Sequence, residues 1–288
     1  MNFLFFVAYI GETLSKKYQS GEKVEFYVKI VTNNQSGITA SSYNYAFLIN
    51  GNEKIALERV GNSTSTKLKG TFVMPASDVE ILVFPVNKES TTPSTSFIFN
   101  FEVNQELYDV YGVESGKRYS TSSPLPFVIK PKKDNVKINK PTATYKTSSK
   151  SGTVYITQET GSNCFFCANT KNANYKQSTI TMTIDAQEVT LHQVTFNDTD
   201  KVTVSGEYLK GFEANESANF TLKAKYPYYV KGVKSIVGAD GTDYSTTVTN
   251  YLATYGDLTL YLYNLPDQDI IVTLDIDEGI PVEVEKGD

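Results

Sequence analysis

One turn-and-strand pattern recurs along the 288-residue chain, and it commits the fold to tandem β modules. In the stretch from Thr71 to Val83 a polar turn holding Pro75 and Asp78 is followed by alternating apolar residues Val79, Ile81 and Val83. That order describes a tight turn feeding a half-buried strand. The layout returns from Ile184 to Leu191, where Glu188 precedes Val189, and from Leu265 to Val272, where Asp269 precedes Ile270. Unit openings agree as well. Gly11-Glu12, then Gly21-Glu22-Lys23-Val24, parallels Gly206-Glu207, then Asn215-Glu216-Ser217-Ala218, and Glu114-Ser115-Gly116-Lys117 is the corresponding turn of the middle copy. The pattern divides the chain into modules at 1–87, 97–196 and 200–277, with a polar linker at 88–96 and a tail at 278–288. Each module has the size of one compact β domain.

Within the modules, short alternating segments are separated by turn signals at intervals of roughly 8–12 residues, the rhythm of sandwiches and barrels. Examples are Phe97–Val103, Thr179–Ile184 and Leu258–Tyr263. Tyr (20) and Phe (16) dominate the aromatic residues, and with the many Thr, Val and Ile they suit pleated surfaces better than helices. No long stretch carries apolar residues at helical spacing, so helix is at most a minor component. Asn50-Gly51 and Asp240-Gly241 mark hairpin turns, because these residues enter positive φ cheaply. The segment 136–178 has no clear strand reading beyond loops or an extra hairpin.

The formal charge of -5 and the presence of only two arginines, Arg59 and Arg118, argue against nucleic acid as a partner. The lysines at 130, 132, 133, 137 and 140 are interrupted by Asp134 and read as a solvated loop. The apolar run from Phe3 to Ile10 has no preceding Lys or Arg and no cleavage signal after it. It is too short to span a bilayer. It reads as a first strand, and synthesis in the cytoplasm without a membrane anchor is expected.

Candidates for chemistry are few. His192, the single histidine, follows Leu191 on an expected strand and should point to solvent. No G-x-S-x-G segment or phosphate-binding glycine loop accompanies it. Cys164 and Cys167 supply half of a zinc site at most. They read as small apolar residues in a loop, with a local disulfide as the alternative. Asp267 with Asp269, and Asp275 with Asp277, should each share a face. Tyr226, Tyr228 and Tyr229 form a candidate interaction patch, against the alternative that they pack in the core and a turn. No catalytic constellation, cofactor site or metal site is expected.

The Val73–Val79 stretch, the Gly21–Val24 opening and the segment from Lys225 to Val233 resemble the internalin-type B-repeat modules of bacterial surface proteins. The resemblance covers the ends of modules one and three well and module two poorly. It implies small β-rich spacers or ligand-presenting units without chemistry of their own. Absence of Trp departs from such repeats and leaves the module open between a grasp-like fold and an immunoglobulin-like β-sandwich. The expected class is therefore all-β, with three tandem sandwich modules. The expected role is a non-enzymatic structural protein of a bacteriophage virion: a head decoration, fibre, collar or tail-associated protein. Its partners would be capsid or tail proteins in a homo-oligomeric or symmetric assembly. A bacterial cell-surface adhesin or spacer is the alternative.

Overall fold

Alternation decides the strands: Val24, Phe26 and Val28 are buried while Lys23, Glu25, Tyr27 and Lys29 between them face water. The computed structural model describes residues 3–6, 18–30, 39–51, 54–77, 79–158, 164–206, 211–246, 249–254 and 257–279. Module one runs β1 (Phe3–Phe6), β2 (Lys23–Lys29), β3 (Asn44–Ile49), β4 (Lys54–Ala56), β5 (Glu58–Arg59), β6 (Lys67–Val73) and β7 (Val79–Val86). Module two begins with β8 (Ser96–Phe101), β9 (Tyr108–Tyr111), β10 (Lys117–Ser120), β11 (Leu125–Pro131), β12 (Val136–Ile138) and β13 (Thr142–Lys146). It continues with β14 (Ser151–Val154), β15 (Ile156–Gln158), β16 (Phe165–Ala168), β17 (Thr179–Thr183) and β18 (Ala186–Glu188). Module three holds β19 (Val194–Phe196), β20 (Val202–Gly206), β21 (Ala218–Ala224), β22 (Tyr228–Gly238), β23 (Thr249–Thr254), β24 (Asp257–Leu262) and β25 (Ile270–Glu278). Among the described residues, helix is confined to three-residue 3-10 turns.

All three modules share one topology. In the first sheet of each, the opening strand lies parallel to a late strand: β1 on β7, β8 on β17 and β19 on β25. That late strand is antiparallel to β3, β13 or β22 on its other side. The second sheet is centred on the antiparallel pairs β2–β6, β11–β16 and β21–β24, with β5, β15 and β23 at the far edge. In immunoglobulin terms the second sheet holds B, E and D, joined by an A strand (β9 or β20) in modules two and three, and faces C and F, with the module's first strand beside F and β10 beyond it in module two. The protein is all-β, built of three tandem immunoglobulin-like sandwiches.

The registers of modules one and three coincide. Phe3 sits opposite Val79 and Val194 opposite Ile270, the same offset in sequence. The openings correspond residue by residue. Gly21 and Asn215 both have positive φ, at 85° and 66°. Each donates its backbone N–H to the end of a strand pair, Gly21 to Met74 O and Asn215 to Leu265 O. Glu22 and Glu216 then use their carboxylates to accept the N–H of Gln19 and Glu213, both at 2.9 Å.

The middle copy is built differently from the sequence pattern. Its counterpart of β7 is β17, so Thr179 and not Val189 occupies the position after the turn. Glu188 instead ends a short ribbon in which β18 pairs with β12. The Glu114–Lys117 turn leads into β10, an edge strand on β8, while the true equivalent of β2 is β11. The segment 136–178, expected to be loops or an extra hairpin, supplies β12, β13, β14, β15 and β16.

Module boundaries follow the cores. Phe196 is buried in the third core, so that module begins before the 197–200 turn cluster. Residues 1–188 form one compact unit and residues 189–288 another. The first unit contains two cores, yet Val128, Phe165 and Cys167 of module two belong to the core of module one. Strand β16 is buried on both faces: Phe166 and Ala168 pack into module two, Phe165 and Cys167 toward module one. Leu82 and Phe84 on the outward face of β7 are likewise buried. The outer face of the β7 sheet and the outer face of the β11 sheet are therefore stacked, as two packed sheets are.

Candidate interaction surfaces

The joint between modules one and two is a built site of mixed chemistry. Its apolar centre holds Leu82, Phe84, Val128, Phe165 and Cys167. Phe84 meets Tyr111 with ring centroids 5.4 Å apart. Polar clamps surround that centre. Lys130 Nζ donates to Glu80 Oε2 at 2.6 Å, Tyr43 donates its hydroxyl to Pro124 O at 2.8 Å, and Asn87 Nδ2 donates to both Gly112 O and Pro126 O at 2.7 Å. Gly112 has φ of 93°, and a Cβ there would lie 2.7 Å from Pro85 O, so only glycine lets the two modules approach this closely. Burial pushes the Tyr43 and Tyr111 hydroxyls up to about 12, with the Cys167 thiolate form and the Asp109 carboxylate adding to the two shifts.

The linker is part of this joint rather than a free connection. Beyond Asn87, Ser90 donates its N–H to Arg118 O, and Glu89 pairs with Lys117 at 3.1 Å. The lysine run is tied down too. Lys132 lies 3.3 Å from Asp109, Lys133 pairs with Glu188, and Lys140 sits over the Tyr155 ring at 4.8 Å.

His192 does not point to solvent; its side chain is only 14% exposed. Its Nε2 lies 2.8 Å from Asp267 Oδ1 and its Nδ1 3.8 Å from Asp269 Oδ1. The His192 backbone exchanges both hydrogen bonds with Phe212, and Asp269 accepts the Gln193 N–H at 2.8 Å. Asp267 and Asp269 thus converge on one histidine, and Asp269, the acid of the repeat pattern, holds the chain where β19 begins. Its counterpart Asp78 lies outside the described residues.

The tyrosines do not form one patch. Tyr226, next to the cis Pro227, is 84% exposed. Tyr228 and Tyr229 are half-buried neighbours on β22 and so face opposite sides. Lys201 Nζ lies 5.8 Å from the Tyr228 ring, while the Tyr229 hydroxyl donates to Asp277 at 3.2 Å. Asp275 and Asp277 do share a face, where Lys231 Nζ reaches both at 3.8 and 3.2 Å.

Cys164 and Cys167 are thiols, not a disulfide. Three steps along an extended chain separate their Cα atoms by roughly 10 Å, beyond the reach of the bond. Cys167 is instead a buried core residue of β16.

These features define a class: a tandem immunoglobulin-like β protein whose first two modules share a joint. No family model and no curated protein matches the chain. Among solved structures, it is 10% identical to the Kfla1895 D451A mutant in complex with isomaltose, over 91% of this chain and 30% of that one, with a TM-score of 0.18. It is 10% identical to the I9-I11 tandem from titin over 89% of this chain and 93% of that one, with a TM-score of 0.14. The I-band fragment I67-I69 from titin gives 9% identity, 89% and 92% coverage and a TM-score of 0.13. Scores this low carry no argument, and the fold assignment rests on strand order.

Proposed function

We propose that this chain is a non-enzymatic structural and interaction protein, and specifically a component of a bacteriophage particle. The observation that carries the structural role is the joint between modules one and two. Joining two sandwiches by stacked sheets, with the linker clamped by Asn87, makes a stiff body rather than a string of hinged domains. Such a body spaces and presents surfaces. The one histidine serves the fold as a clasp on Asp267. Alternating strands give each sandwich outward faces, and repeated surfaces of this kind suit docking on repeated subunits.

Intact mass together with density-gradient fractionation of the natural source tests the particle assignment. Co-banding with capsid or tail proteins is the expected result. Recovery in the cell-envelope fraction would replace it with the cell-surface spacer reading, which the shared Glu22 and Glu216 turns favour through their B-repeat-like sequence.

A further inference from the structure

The outward face of the second sheet is spent differently in each module. In module two it is the β11–β16 surface of the joint, where Val128, Phe165 and Cys167 are buried. In module one it is charged, with Lys23, Glu25 and Lys29 on β2 beside Lys67 and Lys69 on β6. Module three keeps the face but drops nearly all of the charge. There β21 presents Asn219, Thr221 and Lys223, and β24 presents Thr259 and Tyr261, with Tyr263 just past its end. Phe220, Leu222, Leu258, Leu260 and Leu262 between them are buried, so alternation fixes which way the polar set points.

Tyr261 and Tyr263 lie two residues apart on this face. Their rings are nearly parallel, at 13°, with centroids 6.5 Å apart. They are 39% and 44% exposed. Asn219 sits directly opposite Tyr261 in register, and Thr221 directly opposite Thr259. Lys223 is the one charged side chain described on β21 and β24 of this face. It pairs in register with Asp257, four residues along the strand from Tyr261, a distance of roughly 13 Å.

Each part of the face narrows the ligand. A phosphate-bearing or otherwise charged partner finds no counter-charge beside the rings. A protein partner needs an apolar centre, and the described side chains of β21 and β24 offer nothing apolar here beyond the two rings. Two exposed rings with an amide and hydroxyls around them match a neutral molecule that has both C–H faces and many hydroxyls. The C–H face of a pyranose packs on a tyrosine ring. Its hydroxyls exchange hydrogen bonds with Asn219, which donates and accepts, and with the Thr221 and Thr259 hydroxyls. Parallel neighbouring rings take neighbouring sugars of one chain, so oligosaccharides should bind better than monosaccharides.

We infer that module three binds neutral glycans through the face built on Tyr261 and Tyr263. The site belongs to module three alone and stands apart from the particle assignment.

Affinity electrophoresis and calorimetry on the full chain test it, with xyloglucan, galactomannan and maltodextrin as neutral probes and heparin as the anionic comparison. The expected result is binding of at least one neutral glycan that persists at about 1 M salt, where charges are screened beyond about 3 Å. Tyr261→Ala and Tyr263→Ala should each weaken it about tenfold or more, the size expected of an aromatic contact that anchors a binding face. Tyr261→Phe keeps the ring and should keep most of the binding, while Tyr27→Ala in module one should change nothing. Both alanine variants remove exposed rings, so unaltered thermal unfolding confirms that the sandwich survives. Failure of all three neutral glycans to bind, binding of heparin alone, or unchanged binding in both alanine variants would each overturn the proposal. A salt-insensitive dimer in sedimentation that the same two variants dissociate would also overturn it, and would assign the face to a second copy of the chain.

Discussion

Phe84 and Tyr111 meet at 5.4 Å although they belong to different modules, one on β7 and the other at the end of β9. The contact lies in the joint that unites residues 1–188, so the two sandwiches there should unfold together. Phe84→Ala removes a buried ring and should cost about 3–5 kcal/mol. Calorimetry checks both points: two separated transitions within residues 1–188, or a loss under about 1 kcal/mol, would contradict the joint.

Alkaline pH should open the same joint. Burial is the main reason that the Tyr43 and Tyr111 hydroxyls lie near 12 instead of 10. The unfolded chain therefore releases these protons first, at the ordinary value near 10. Their contribution to stability is complete below pH 10 and is lost as pH rises toward 12. Denaturant midpoints measured across that range should fall, and the fall should be shallower in Tyr43→Phe. An identical slope in that variant would refute the assignment.

The Lys130–Glu80 pair is partly shielded, with side-chain exposures of 21% and 29%. Lys130→Met alone leaves Glu80 facing an apolar joint and should cost about 1–3 kcal/mol. Adding Glu80→Leu should return most of that loss. Urea titration of the single and double variants measures it, and strict additivity would sink the coupling.

Gly21 sits at the positive-φ position that Asn215 occupies in module three. No atom lies within 4 Å of a Cβ built there, so the cost of substitution is backbone strain alone. Gly21→Ala should lose about 1 kcal/mol and Gly21→Asn distinctly less, since Asn tolerates the left-handed region. Equal losses in thermal unfolding would dissolve the equivalence of the two turns.

Cys167 is buried and Cys164 half-buried, and both are thiols. Native protein should bind at most one equivalent of a thiol reagent quickly, and two after denaturation. A mass showing an intact Cys164–Cys167 bridge under oxidising conditions would disprove the strand geometry of β16.

The sequence by itself determined what is local. Val24, Phe26 and Val28 alternate with polar residues, and that alone sets which face of β2 is buried. Asn50-Gly51 and Asp240-Gly241 turn where expected: Asn50, Gly51 and Gly241 all take positive φ. The correspondence of Gly21-Glu22 with Asn215-Glu216 was legible because each turn is closed by its own glutamate three residues on. Only the tertiary structure decided what is far apart in the chain. β17 takes the place expected of the Glu188 segment because it pairs on both sides, with β8 and with β13, and no pattern of single residues encodes that pairing. The alternation of Val79, Ile81 and Val83 reads as a strand buried on one face, whereas Leu82 and Phe84 are buried too, and nothing in the sequence names Val128 and Phe165 as the surface that covers them. His192 lost its expected exposure in the same way, because Asp267 reaches it across 75 residues of chain. Alternation and turn chemistry act over a few residues, whereas stacking and ion pairing act through space, and the second kind of contact made one unit out of two modules.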